Sequence, residues 1–465
     1  MKKINLGQKE IIHFVGIGGI GMSGLAQIMK NMGFKIQGSD QTKNKNTISC
    51  SKAGINVFIG HSIKNVKSST IVVRSTAIKN NNNEIKYARE KKIPIYSRAE
   101  VLADVVSLKK NVIITGSHGK TTTTSLVSKI LSDQKLDPTI INGGVINSFK
   151  SNAKFGKGEW AILEADESDG SFLKLPINYS VVTNIDYEHI DFYKNFASLK
   201  NSFIKFIEKT PPTGKSIVCI DNKNVKEVLS KVKNKNILTY GVSNNADYKI
   251  SNIKYKVDFS IFDLSYKDIK KKNKKIKNIH LKLLGKHNVL NAAAAVTVCL
   301  NLGVNQSIIK QSLESFSGVQ RRMTKIFTKN KNDFYDDYAH HPTEIASILE
   351  GVKNVYKDRK IISIFEPHRY SRVLSLKKKF ASCFKNTDLV LLCPIYAAGE
   401  KKNSSFNFIN FAKLISRFSR TQVIIIKNFK EIDKYLKKNL ISDEIIIGMG
   451  AGTISKYMRE LKTIL

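Results

Sequence analysis

Residues 111–125, NVIITGSHGKTTTTS, carry the pattern around which the chain is organised. Asn111 to Thr115 predicts a short buried strand, Gly116 to Lys120 a tight glycine-containing turn, and Thr121 the start of a helix. Where a turn enters a helix, backbone N–H groups lack intrahelical partners. Gly116, Ser117, His118, Gly119, Lys120, Thr121 and Thr122 therefore form a candidate cradle for phosphate oxygens. Lys120 adds a compact positive charge, and the Thr121 hydroxyl stands where a P-loop threonine binds Mg²⁺. The general pattern G-x-x-x-x-G-K-[ST] is not met. Only Ser117 and His118 separate Gly116 from Gly119, so the loop is a shortened one.

A chain of 465 residues is too long for one ordinary core and predicts about three domains, with 42% hydrophobic residues to fill them. The net charge of +39 is mostly lysine, spread along the whole length beside abundant asparagine. Such scatter predicts a solvated surface, whereas a nucleic-acid-binding protein would lose affinity steeply with salt. Arginine is scarce, so an arginine within a motif is more informative than a lysine. Cys50, Cys219, Cys299, Cys383 and Cys393 are odd in number, far apart and without a C-x-x-C pair. They predict neither a disulfide frame nor a zinc site and fit a reducing cytosol. The start of the chain, basic at Lys2 and Lys3 and apolar from Ile11 to Met29, has the outline of a signal peptide, but five glycines and His13 break it. No cleavage pattern and no run of transmembrane length is present.

The first domain is expected over residues 1–108. Ile11 to Val15 predicts a strand that runs into GIGGIGMSG at 16–24, then a helix to about Met32. Gly16, Gly18 and Gly21 satisfy G-x-G-x-x-G, and Asp40 follows at the end of the next strand. A pyrophosphate on a helix N-terminus is implied, with NAD the default owner and an unliganded Rossmann fold the plainer alternative. A dehydrogenase would leave the second glycine turn idle. Val57 to Ile59 leads to Gly60-His61 and Ile71 to Val73 leads to Arg74-Ser75, both strand ends suited to line a crevice. Gly18, Gly19, Ile20, Gly21, Met22, Asp40, His61 and Ser75 are the candidate contacts. A helix from Arg98 to Ser107 and the Lys109-Lys110 pair close the domain.

The second domain is expected over 109–324. Trp160 to Leu163 predicts a strand ending in the acidic cluster EADESD at 164–169, and carboxylates beside a phosphate loop call for a divalent cation. Glu164, the first residue past that strand, is the expected metal contact. Val181 to Asn184 predicts another strand, followed by His189, a possible metal ligand. Tyr248 to Leu283 alternates as an exposed antiparallel sheet whose loop is Lys270 to Lys277. Asn288 and Asn291 lie on one face of the following alanine-rich helix and could offer amides to an adenine edge. Arg321 and Arg322 form a candidate phosphate clamp.

The third domain is expected over 325–465. Asp333 to Tyr338 predicts a strand carrying Asp336, followed by His340, His341 and a helix starting at Pro342. Ile361 to Phe365 predicts the next, running into His368, Arg369 and Arg372, suited to hold a carboxylate or phosphate. Strands at Leu389 to Cys393 and Glu444 to Ile447 imply a second doubly wound sheet. The glycine loop at 448–452 is open to two readings, an anion site or a tight turn.

Together these motifs resemble the Mur ligases of peptidoglycan synthesis over nearly the full length. The carrying stretches are FVGIGGIGMSGLA (14–26), TGSHGKTTT (115–123), EADESDGSFL (164–173), NIDYEHID (184–191), GKHNVLNAAAA (285–295), DDYAHHPTE (336–344), EPHRYSR (366–372) and IYAAGE (395–400). The resemblance implies an α/β fold of three domains: an N-terminal Rossmann-like domain, a central P-loop ATPase-like domain with a mixed sheet, and a C-terminal Rossmann-like domain. It implies that the first takes the UDP of UDP-N-acetylmuramate instead of NAD and that the second takes ATP and Mg²⁺. By the same resemblance Thr121, Glu164 and His189 go to magnesium, Asn288 and Asn291 to adenine, and Arg369 and Arg372 to the muramyl substrate. Asp336, Arg321 and Arg322 join the ATP contacts.

Within the family, the GIGGIGMSG and EADESDGSF forms favour the branch that adds L-alanine over one that adds a whole peptide. A lactyl carboxylate would first be phosphorylated by ATP, aided by Lys120, Mg²⁺ and Arg321 or Arg322, and then attacked by the alanine amine. His340, His341 and His368 are candidates for binding or proton traffic; His341 and His368 stand with Lys120, Arg369 and Arg372 as the expected catalytic set. Sister ligases hold a second metal with a carbamylated lysine after the His189 motif; Lys200 and Lys205 lie there, and neither is assigned that role. A hinge is expected near Arg322 to Lys331. The chain is expected to be cytoplasmic, a monomer or weak homodimer, binding no nucleic acid and no membrane, and to serve cell-wall biogenesis, cell shape and division.

Overall fold

The computed structural model describes residues 10–401, 403 and 406–465; the basic start of the chain at Lys2 and Lys3 lies outside them. The fold is α/β with three sheets. The first is all parallel, in the order Asn56–Ile59, Lys35–Asp40, Ile11–Val15, Ile71–Arg74, Ile95–Ser97. Its middle strands carry Ile12, Phe14, Val15, Val72 and Val73, all fully buried, as expected of a parallel sheet covered on both faces. The chain reverses its direction of winding between Ile11–Val15 and Ile71–Arg74, and there Gly16 and Ser75 come together: a Cβ on Gly16 would stand 3.1 Å from Ser75 Cβ.

The central sheet has ten strands. Lys110–Thr115 lies between Tyr179–Val182 and Trp160–Glu164, parallel to both. Beyond Trp160–Glu164 come Thr139–Ile146 and the antiparallel Ser151–Lys154. On the other side follow Lys215–Cys219, Ile237–Gly241 and three long strands, Tyr248–Lys256, Phe259–Lys267 and Asn273–Leu281. The lysine run expected to be a loop at 270–277 is therefore half strand. The turn is confined to Asp268–Lys272, where Lys271 has a positive φ of 58° and Lys272 N–H donates to Asp268 Oδ1. Alternation with exposed lysines suits an edge strand, and it masked the strand here.

The first helix begins at Ile20, so Gly21 and Gly24 are helical instead of belonging to the loop. Gly24 admits a close neighbour: a Cβ there would come 2.9 Å from Ala153 Cβ. Asn152 Nδ2 donates to Ile20 O nearby, and residues of the first and central sheets share one hydrophobic core. The chain divides into two compact units, one running up to Asn252 with Phe262–His280 and Leu290–Ser317, the other made of Ile253–Ile261, Leu281–Val289 and Gly318–Leu465. The third sheet lies in the second unit, in the order Thr324–Lys329, Asn332–Asp337, Ile445–Met449, Ile361–Phe365, Leu389–Leu392, Gln422–Ile425. All neighbours are parallel except the first pair. The segment Arg322 to Lys331, expected as a hinge, contains that sheet's edge strand, paired with Asn332–Asp337. The unit boundary falls earlier, at Ser317 and Gly318, the latter with φ +80°.

The first sheet hides one carboxylate that composition did not announce. Glu84 is fully buried and accepts hydrogen bonds from Ser39 Oγ (2.5 Å), Asn65 Nδ2 (2.8 Å) and Ser62 N–H (3.1 Å). His13 Nε2 and His61 Nδ1 each lie 3.3 Å from its Oε2. Burial alone would push Glu84 up, but His13, Ser39 and Asn65 hold it down at about 2. A carboxylate depressed below its unfolded value stabilises the fold above pH ~4.5, an effect lost as pH falls toward 2. Glu84→Gln is expected to flatten acid unfolding over that window by roughly 2–3 kcal/mol, read from urea midpoints at pH 3 and 7. A midpoint shift equal at both pH values would contradict it.

Candidate active site

Three neighbouring parallel strands deliver the glycine turn, Glu164 and Asn184 to one edge of the central sheet. The helix after the turn starts at Lys120, one residue earlier than expected, with Gly119 at its N-cap in the left-handed region (φ +83°) and no side chain capping it. First-turn N–H groups thus stay available for an anion. The shortened loop is braced from outside. Asn184 O accepts Ser117 N–H at 3.1 Å, its Oδ1 accepts His118 N–H at 2.9 Å, and its Nδ2 donates to His118 O at 2.9 Å. Thr183 Oγ1 donates to the same carbonyl at 2.6 Å, and Asp186 N–H donates to Ser117 Oγ at 2.8 Å. The expected strand Val181 to Asn184 ends at Val182, which frees Thr183 and Asn184 for this task. Ser117 and His118, expected ATP contacts, have their N–H groups committed to Asn184, while the first-turn N–H groups from Lys120 to Thr122 have no intrahelical acceptor.

Glu164 is the last residue of its strand, not the first beyond it. Its Oε1 accepts Thr121 Oγ1 at 3.0 Å and its Oε2 accepts Gly143 N–H at 2.6 Å. These hard oxygen donors fit Mg²⁺, and they are set close together before any ion arrives. His189, the third expected ligand, comes together with Glu167 and Glu188, one ligand atom of each lying within 4.8 Å of the others. Sequence reasoning passed over Glu167 within the acidic cluster. It is fully buried, and its Oε2 lies 2.9 Å from Lys120 Nζ. Burial opposes charge on all three groups; Lys120 and His189 nonetheless hold Glu167 down at about 2, while Glu167 raises the pKa of both partners. Of the two lysines left unassigned, Lys200 pairs with Glu227 at 2.6 Å and Lys205 is exposed.

On the helix Lys286–Asn301, Asn291 abuts Gly119 so tightly that a Cβ on the glycine would collide with the amide. Asn288 Nδ2 donates to Leu284 O at 2.8 Å, turning back along its own chain. In the first sheet, Gly18 N–H donates to Asp40 Oδ2 at 2.8 Å, and no side chain caps the helix whose N-cap is Gly19. The guanidinium of Arg98, which sequence reasoning missed, lies over that helix start, 3.2 Å from where a Gly21 Cβ would be. The signal was available: an arginine after a strand end in a chain poor in arginine. Ile20 is exposed and Met22 buried, while His61 is tied to Ser39 and Glu84.

In the third sheet, Tyr338, His340, His368 and Tyr396 form an aromatic row, with ring centroids 5.1, 5.7 and 5.6 Å apart in turn. Arg321 covers Tyr338 at 4.5 Å and Arg372 Nη1 lies 3.2 Å from His368 Nδ1. Arg322 lies 3.8 Å from Glu344. Arg369 has φ +67°, a strained backbone for a residue with a side chain, pinned by its N–H donating to Tyr396 O. Burial pushes His340 down to about 3; burial, with Arg372 and Arg369, brings His368 to about 4. His341 caps the helix Pro342–Val355, its Nδ1 accepting Thr343 N–H. Asp336 is fully buried and accepts Ser455 Oγ at 2.5 Å. Of the glycine loop at 448–452, Gly448 and Met449 complete the strand Ile445–Met449, and beyond it Glu366 Oε2 accepts Ile454 N–H while Oε1 accepts Thr453 Oγ1, so a carboxylate stands at the helix start.

Gly143 leaves no room for a side chain, since a Cβ would stand 2.6 Å from Glu164 Oε1 and 2.7 Å from Oε2. Gly143→Ala is expected to raise the Mg²⁺ concentration for half-maximal phosphate release about tenfold, with far-UV circular dichroism unchanged. An unaltered Mg²⁺ requirement would remove Glu164 from the metal assignment.

Models of three protein families match the chain in succession: "Mur ligase family, catalytic domain" over 11–110, "Mur ligase middle domain" over 114–299 and "Mur ligase, glutamate ligase domain" over 321–452. The UDP-N-acetylmuramate–L-alanine ligase of Pelagibacter ubique is 54% identical over 463 residues, all of both chains. That of Agrobacterium fabrum is 41% identical over 461 residues, covering 98% of this chain and 97% of its own. The solved structure of the UDP-N-acetylmuramate-alanine ligase of Thermotoga maritima superposes with a TM-score of 0.82 at 27% identity, over 98% of each chain. The braced glycine turn, the strand-end carboxylates and these matches along the whole sequence lead to one assignment: the chain belongs to the Mur ligase family.

Proposed function

We propose that the chain joins L-alanine to the lactyl carboxylate of UDP-N-acetylmuramate with cleavage of ATP to ADP and phosphate, a cytoplasmic step of peptidoglycan synthesis. The observation that carries this reading is the full-length identity to the Pelagibacter ubique ligase. Among the described residues no helix is long and apolar enough to cross a membrane. We further propose domain boundaries near residues 108 and 324, a reading supported by the three separate sheets.

A carboxylate is a poor electrophile, so one of its oxygens attacks the γ-phosphorus of ATP, ADP departs, and an acyl phosphate forms. The N–H groups of Gly119 to Thr122 receive phosphate oxygens, and Lys120 neutralises charge building on them. Thr121 and Glu164, with His189 nearby, would hold Mg²⁺, whose charge would offset the same build-up. The neutral amine of alanine then attacks the acyl carbon, phosphate leaves, and the amide remains. Arg369 and Arg372 are the cations assigned to the acidic substrate groups. His340 and His368, held neutral, serve as hydrogen-bond acceptors more readily than as carriers of the amine proton, because a base with so low a pKa holds a proton weakly. The uridine diphosphate goes to the glycine turn at Gly18 to Met22 and the Asp40 and Ser75 strand ends, with Arg98 as an added cation.

Lys120→Ala is expected to lower ATP-dependent ligation at least about a hundredfold; near wild-type turnover would refute the phosphate-loop assignment. In a panel of amines with UDP-N-acetylmuramate and ATP, L-alanine is expected to stimulate phosphate release more than glycine, L-serine or a tripeptide. Release equal with and without both acceptors would contradict a ligase. Because burial holds His368 low, His368→Gln is expected to reduce kcat without moving any limb of the pH–rate profile between pH 6 and 9.

A further inference from the structure

The ligase reading leaves the carboxylate of Glu167 in the central domain without a task. Glu167 is fully buried, three residues past the strand Trp160–Glu164. Its main chain is fixed, with its carbonyl accepting the Tyr193 hydroxyl at 2.5 Å and Gly170 N–H at 3.1 Å. Its Oε1 lies 3.0 Å from Lys120 Nζ and 3.5 Å from His189 Nε2, while Oε2 lies 2.9 Å from the same ammonium. The remaining donors of that ammonium meet the carbonyls of Gly116 at 2.6 Å and Ser117 at 3.3 Å.

A lysine carries its charge on a flexible four-carbon stem, so its chemistry near a phosphate depends on what holds the ammonium in place. Here Lys120 begins a helix and His189 follows a different strand, and a single buried carboxylate lies against both. We propose that Glu167 is a positioning residue for phosphoryl transfer, holding the Lys120 ammonium against the glycine turn and the His189 ring beside it. The inference rests on the ligase reading above. Glu167 acts through Lys120 and His189, and a glutamine of the same shape would keep the volume while losing the charged acceptor that anchors the ammonium.

The test uses the full chain with UDP-N-acetylmuramate, L-alanine, ATP and Mg²⁺. Glu167→Gln is expected to lower kcat about 30-fold while KM for ATP, and Kd for ADP by calorimetry, change less than about threefold. Added to Lys120→Ala, the same substitution is expected to cost less than about a further twofold, since no ammonium is left to place. Multiplication of the two losses, or wild-type kcat in Glu167→Gln, would overturn the proposal. Melting gives a reading independent of turnover. Lys120→Ala strips a buried carboxylate of its main counter-charge, so the double variant is expected to melt higher than Lys120→Ala alone, and a lower melting point would count against the proposal. Full activity in Lys120→Ala would instead sink the underlying site assignment, an outcome distinct from additivity in the cycle.

Discussion

The placement of Lys110–Thr115 between two strands running the same way is the constraint on which the site depends. Parallel neighbours about 4.8 Å apart end on the same edge, so the segments leaving their carboxyl ends meet there without long loops. The glycine turn, Glu164 and the Thr183-Asn184 pair arrive in this manner. A turn with two residues between its glycines has little to hold it from within. The two backbone N–H groups and one carbonyl that Asn184 secures, with the Thr183 hydroxyl, supply rigidity that a longer loop would draw from its own bonds.

A buried carboxylate recurs at the working edge of each sheet. Glu84 gathers Ser39, Ser62, Asn65 and two histidines; Glu167 gathers Lys120 and His189; Glu366 gathers Thr453 and Ile454. Each would be costly alone, because a charge removed from water must find donors. Each is met by several, and the penalty for losing any of them keeps the surrounding loops in one arrangement. In the third sheet the effect is subtractive: Glu366 occupies the helix start that follows the glycine loop.

Motifs whose meaning lies in local geometry were legible from the chain. Glycines at a strand-to-helix turn, a lysine and threonine opening the helix, and arginines after a strand end state their chemistry at short range, and the structure sets them at sheet edges accordingly. Element ends were less legible. Trp160–Glu164 runs one residue longer than expected and the strand before Asn184 stops two residues short, because register with neighbouring strands, not propensity, decides where pairing ends. The exposed lysines of Asn273–Leu281 looked like a loop for the same reason: an edge strand needs only one apolar face.

By itself the sequence determined where glycine turns enter helices and that three domains of α/β type would form, since those follow from residue type and local spacing. Only the tertiary structure decided the partners. Glu167 for Lys120, Asn184 for the glycine turn, Gly143 for Glu164 and Arg98 for the first helix are separated in the chain and meet because parallel strands order their ends in space. Charge pairing across such distances leaves no periodic trace in the sequence, and burial, which sets whether a histidine or carboxylate is charged, exists only once the sheets have closed around it.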